Sequence, residues 1–134
     1  MTETETLAAV NVLRLVGAFV SIERNPEMWD QGKCARRTEC GTTFCFFGWV
    51  CVNASFEPVW MFGQASLVRD PATGYAEWVF DTARDLLGLT NEAADRLFAG
   101  ENTLDDLYRE AAEIAGLSEG DLRARVVAAV AEGP

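Results

Sequence analysis

The sequence predicts a mainly α fold, a compact helical domain around a buried central helix, with a small β-hairpin or irregular lobe set into it. Three observations carry the prediction. Residues 44–54 are apolar on every side, as a helix enclosed by its neighbours would be. In the second half, Thr90, Thr103 and Ser118 each stand before apolar residues at helical spacing, and Gly88 and Gly116 follow two such runs. Between these halves, residues 59–74 break the helical period with two short β-prone runs and a turn signal.

Thr4 or Thr6 is placed to cap a first helix ending near Arg24, with Leu7, Val10, Leu13, Val16 and Val20 along one stripe. Val12, Leu15, Phe19 and Ile22 widen that stripe beyond what one packing face needs, so the helix is expected to be buried on most sides or to form a homodimer face. Asn25-Pro26 ends it, because the residue before proline avoids helical dihedrals, and Pro26 to Trp29 begins a short second turn. Gln31 to Gly41 reads as polar and irregular and holds the adjacent basic pair Arg36 and Arg37. Thr42 or Thr43 is then expected to cap the central helix, Phe44 to Ala54.

Val59-Trp60-Met61-Phe62 and Ser66-Leu67-Val68 flank Gly63-Gln64, and Asp70-Pro71-Ala72-Thr73-Gly74 is a turn signal. Ala76 to Leu87 places Val79, Ala83, Leu86 and Leu87 on one helical face. A short helix from Thr90 and a longer one from Thr103 follow. The last begins at Ser118, with Asp121 at capping-box spacing.

The 134 residues are expected to form one domain, 1–134, large enough to fold without a disulfide or metal. Apolar residues make up 49% and charged residues 24%, which argues against disorder. The net charge is −10, and residues 76–134 carry −8 of it. Such a half repels phosphate backbones, so direct nucleic-acid binding is not expected, and a partner with a basic surface is. The acidic N-terminus does not read as a secretory leader, and the apolar stretch Leu7 to Ile22 is too short and interrupted to span a bilayer, so no membrane association and a cytoplasmic location are expected. The chain has no histidine and one lysine, Lys33. The commonest general base, the Ser-His and Cys-His nucleophile pairs and most zinc sites are therefore absent.

Cys34, Cys40, Cys45 and Cys51 lie within 18 residues. A metal or iron–sulfur site disagrees with the spacing: on one helix Cys45 and Cys51 would stand roughly 240° apart at ~100° per residue. A reactive thiol or disulfide at Cys40 and Cys45 is a second reading, since a helix start and the nearby Arg36 and Arg37 favour a thiolate. A third is an anion or nucleotide pocket at a Cys40–Phe44 helix N-terminus, made by Arg36, Arg37, Gly41, Thr42 and Thr43. The alternative to all three is structural: Gly41 turns the backbone, the threonines cap, and the cysteines pack as small hydrophobes. No cofactor and no metal is expected, and no residue is assigned a catalytic role.

The segments Pro26-Glu27-Met28-Trp29-Asp30-Gln31, Cys40-Gly41-Thr42-Thr43-Phe44-Cys45-Phe46-Phe47-Gly48-Trp49 and Leu86-Leu87-Gly88-Leu89-Thr90, with Glu92-Ala93 and Leu97-Phe98, resemble a group of small actinobacterial and actinobacteriophage proteins. Their shared core reads Cys-Gly-Thr-x-x-Cys-x-x-Gly-Trp, usually with a small residue where Phe47 stands, and it does not include Cys34 or Cys51. The resemblance covers about residues 25–98 and implies a small intracellular accessory protein, phage-encoded or bacterial. The expected function is a non-enzymatic interaction protein that binds and modulates a host protein in an actinobacterial cytoplasm. The alternatives are a small-anion or nucleotide binder and a thiol redox or metal-binding protein.

Overall fold

A computed structural model of the chain describes residues 10–38 and 41–132. Among them are six α-helices and six short strands, so the fold is mainly α with a small β part. Helix α1 spans Val12–Arg24, capped by the Asn11 side chain, which accepts from the Arg14 amide at 3.0 Å. The expected starts at Thr4 and Thr6 lie outside the described residues. Asn25 ends α1, and Pro26–Met28 forms a single 3-10 turn, as the Asn-Pro pair predicts.

Next come β1 (Ala35–Thr38) and β2 (Gly41–Phe44), paired antiparallel with Arg36 opposite Thr43 and Arg37 opposite Thr42. Helix α2 runs Phe46–Asn53. Four further strands follow: β3 (Glu57–Pro58), β4 (Gln64–Ala65), β5 (Leu67–Arg69) and β6 (Ala76–Trp78). They build two three-stranded sheets, ordered β2-β1-β4 and β3-β5-β6, joined by the continuous chain from β4 into β5. The turn signal at Asp70 joins β5 to β6: Asp70 Oδ1 accepts from the Ala72 amide at 2.9 Å and its carbonyl from Gly74 at 2.7 Å.

The remaining helices are α3 (Val79–Leu87), α4 (Asn91–Phe98), α5 (Leu104–Ala115) and α6 (Glu119–Ala131). Three differ little from the expected bounds, but α3 starts later, because residues 76–78 are drawn into the β5 ladder. Thr90, Thr103 and Ser118 all cap as read. The full capping box sits at Thr103 and Asp106, whose side chains each accept from the other's backbone amide.

Helix α2 packs between α1 and α3 and buries Phe46 through Cys51. Phe19 of α1 lies 4.8 Å from the Phe46 ring and stacks on Tyr108 of α5 at 4.1 Å. Each such side chain, fully buried, contributes ~1.5–3 kcal/mol. Arg123 covers the other face of Tyr108, its guanidinium carbon 4.1 Å from the ring centre. Arg24 donates to the terminal carbonyls Ala129 and Val130, holding the end of α6 against α1.

Candidate functional site

The segment the sequence singles out is partly strand. Thr42 and Thr43 stand in β2, opposite Arg37 and Arg36, and do not cap a helix. Threonine suits a pleated pair as well as a helix cap, and the register with β1 claims the backbone of both. The cap of α2 is Cys45, whose sulfur accepts from the Gly48 amide at 3.3 Å.

This placement corrects the helix N-terminus expected at Gly41, Thr42 and Thr43, on which the anion-pocket reading was built. The amides that begin α2 are already used: Phe46 donates to Gln31 Oε1 at 3.0 Å, Gly48 to the Cys45 sulfur, and Trp49 to the Cys45 carbonyl at 3.0 Å. Arg36 is exposed on β1, and Arg37 lies over the Trp60 ring at 4.1 Å. The arginines therefore face the sheet surface and the aromatic lobe. Cys40 lies outside the described residues.

Gln31, at the start of a stretch expected to be polar and irregular, is a buried junction. Its Nε2 donates to the carbonyls of Leu97 at 2.9 Å and Ala99 at 3.3 Å, and its Oε1 accepts from Phe46 and from Trp29 Nε1 at 3.2 Å. One 7%-exposed amide thus ties the start of α2 to the end of α4. A polar residue between Trp29 and a helix start was the only hint in the sequence.

Two thiols meet beside that junction. Cys34 precedes β1, Cys45 follows β2, and the Cys45 amide donates to the Cys34 carbonyl at 3.3 Å. The Cys45 S–H donates to the Cys34 sulfur, which holds the Cys34 thiol below its ordinary value against the opposing effect of burial. The same contact, with burial, pushes Cys45 well up. Cys51 is buried further along α2, its sulfur 3.8 Å from the Val79 carbonyl, and burial pushes its thiol up to about 12. Among the described residues no three potential metal ligands cluster.

The second unusual place is the loop between β3 and β4. Met61 and Gln64 exchange backbone hydrogen bonds at 2.7 and 3.0 Å, leaving Phe62-Gly63 as a two-residue hairpin loop. Phe62 has φ +53° and Gly63 φ +78°, the signs of a type I′ turn, which favours Asn-Gly. Phe62 is fully exposed, and Met61 is 61% exposed beside it. The Gly63 carbonyl accepts from the Arg37 amide at 2.8 Å, pinning the tip to β1.

Acidic side chains crowd α3 to α6, and several are paired. Arg84 bridges Asp81 and Asp85, Arg96 bridges Glu110 and Glu113, and Arg123 bridges Asp105 and Glu119. Glu92, Asp95, Glu101 and Asp121 are exposed between them. No described helix is long and apolar enough to cross a membrane. Comparisons with protein-family models, curated proteins and solved structures returned no match.

Proposed function

We propose that the chain is a non-enzymatic interaction protein, phage-encoded or accessory, that binds and modulates a host protein in an actinobacterial cytoplasm. The observation that supports it most is Phe62: a large aromatic fully exposed and held in a left-handed conformation. Exposure forgoes the ~1.5–3 kcal/mol that burial would contribute. The positive φ costs about 1–2 kcal/mol more for a residue with a side chain. A residue unfavourable on both counts fits a role outside the fold, and an aromatic anchor entering a partner's pocket is such a role.

The net charge of −10 favours a partner whose pocket is rimmed by basic groups. The setting rests on the motif from Cys40 to Trp49. The same reading takes α2 as the central helix of the fold, a rigid support for the lobe that carries Phe62. Leu13, 83% exposed on α1, supports a homodimer through that helix, which light scattering at high concentration tests.

The deciding experiment is capture from host lysate by the full chain and by Phe62→Asn, a residue the turn prefers. A stoichiometric partner held by the parent, released by salt and lost with Phe62→Asn supports the reading. A partner held equally by both chains, or none, removes it.

A further inference from the structure

We propose that Cys34 and Cys45 form a dithiol exchange site, with Cys34 attacking low-molecular-weight disulfides that carry no negative charge and Cys45 resolving the product. The site goes beyond the interaction reading and does not depend on it.

The argument begins with register. Ala35 pairs with Phe44, so Cys34 and Cys45 are the next opposed positions beyond the ladder, and the Cys45 amide reaches the Cys34 carbonyl. Opposed residues of antiparallel strands hold their Cα atoms about 4.5–5.5 Å apart, within the roughly 4.4–6.8 Å that a disulfide bridges. The backbone bond and the register already hold the two residues opposite one another, so little backbone movement separates the dithiol from the disulfide.

The two thiols are not equivalent, and the difference assigns their roles. Cys34 is half-buried, whereas Cys45 is 1% exposed. Both line a cavity of about 170 Å³ with Gln31 and Phe98. Cys34 alone also lines a cleft of about 420 Å³ formed with Trp78, Phe80, Asp81 and Phe98. An incoming disulfide therefore meets Cys34 first. The hydrogen bond from Cys45 favours the Cys34 thiolate, the attacking form. Aromatic walls, and an Asp81–Arg84–Asp85 group that stays net negative because one arginine serves two carboxylates, favour an uncharged or cationic reagent over an anionic one.

The steps balance. The Cys34 thiolate attacks one sulfur of R–S–S–R, whose S–S bond breaks, and RS⁻ leaves with the electron pair. The Cys45 thiol yields its proton to that RS⁻. The Cys45 sulfur then attacks Cys34 Sγ of the mixed disulfide, forming the Cys34–Cys45 bond and expelling the second RS⁻, which takes up a proton from water to replace the one Cys34 released on ionising. Two protein thiols are oxidised by two electrons, and one external disulfide is reduced to two thiols.

The test uses the full reduced chain, freed of reductant, with bis(2-hydroxyethyl) disulfide and separately with glutathione disulfide. The expected result is loss of two of the four thiols, peptide mapping that links Cys34 to Cys45, and faster reaction with the uncharged reagent. Cys45→Ser is expected to stop at a mixed disulfide on Cys34, and Cys34→Ser to prevent both products. A link from Cys45 to Cys40 or Cys51, or four thiols remaining, overturns the proposal. So does reaction at equal rates with the two reagents. Phenylarsine oxide, which bridges paired thiols, needs no variant: one bound per chain with exchange blocked supports the site, and no binding overturns it.

Discussion

Gly48 lies against Cys34 so closely that a Cβ on Gly48 would stand 2.2 Å from the Cys34 carbonyl oxygen and 3.1 Å from the Phe44 Cβ. The first obstacle is backbone, which has no rotamer by which to retreat. The glycine of the Cys-x-x-Gly-Trp segment is thus a contact requirement: it lets α2 come down on the segment just before β1 that carries Cys34, and it brings Cys45 to its partner.

Gly48→Ala is therefore expected to destabilise the fold by about 1–3 kcal/mol, the usual cost of overpacking a tight contact. Urea unfolding measures it. The same change is expected to slow disulfide formation between Cys34 and Cys45, because α2 must move away from the strand.

Phe62→Asn is expected to raise stability by about 1 kcal/mol, since asparagine accepts the left-handed conformation that phenylalanine resists. Denaturation of the isolated protein reads this out without any partner. A loss of stability would show that the Phe62 side chain supports the lobe.

Gln31→Leu is expected to cost at least about 2 kcal/mol, because it leaves the Phe46 amide and Trp29 Nε1 without their acceptor and takes the side-chain donor from the Leu97 carbonyl, while the Ala99 carbonyl keeps the Asn102 amide. Amide exchange at Phe46 and along the end of α4 is expected to rise together, since one side chain joins them.

Alkaline pH is expected to weaken the fold through Cys51. Its thiol has an ordinary value of 9.0 and is pushed up to about 12 by burial, then by the nearby Cys34. A folded value above the unfolded one means that the stabilisation is complete below pH 9 and is lost as pH rises toward 12. Tyr108, pushed from 10.0 up to about 12 mainly by burial, adds to the loss from pH 10 upward. Thermal unfolding across pH 8–10 is expected to show a falling Tm, with a shallower fall in Cys51→Ala.

Much of the helical part was legible because its determinants are local. Thr90, Thr103 and Ser118 satisfy amides within their own first turns, Gly88 and Gly116 close α3 and α5, and Asn25-Pro26 stops α1 by sterics that act between neighbours. The turn at Asp70 is local in the same way. The start of α2 was misplaced because Thr42 and Thr43 serve equally well as caps and as strand residues. Pairing with β1 decides between the two, and no short window of sequence contains that information.

The sequence by itself determined a mainly helical, strongly acidic chain without histidine, and it marked the segment around Cys45 as unusual. Only the tertiary structure decided which cysteine stands beside Cys45, that Gln31 is buried and fully bonded, and that Phe62 is exposed on a left-handed turn. The reason is physical. Caps and proline stops act within a few residues, whereas thiol contact, burial and exposure are set by which distant surfaces pack together, and that depends on the whole chain at once.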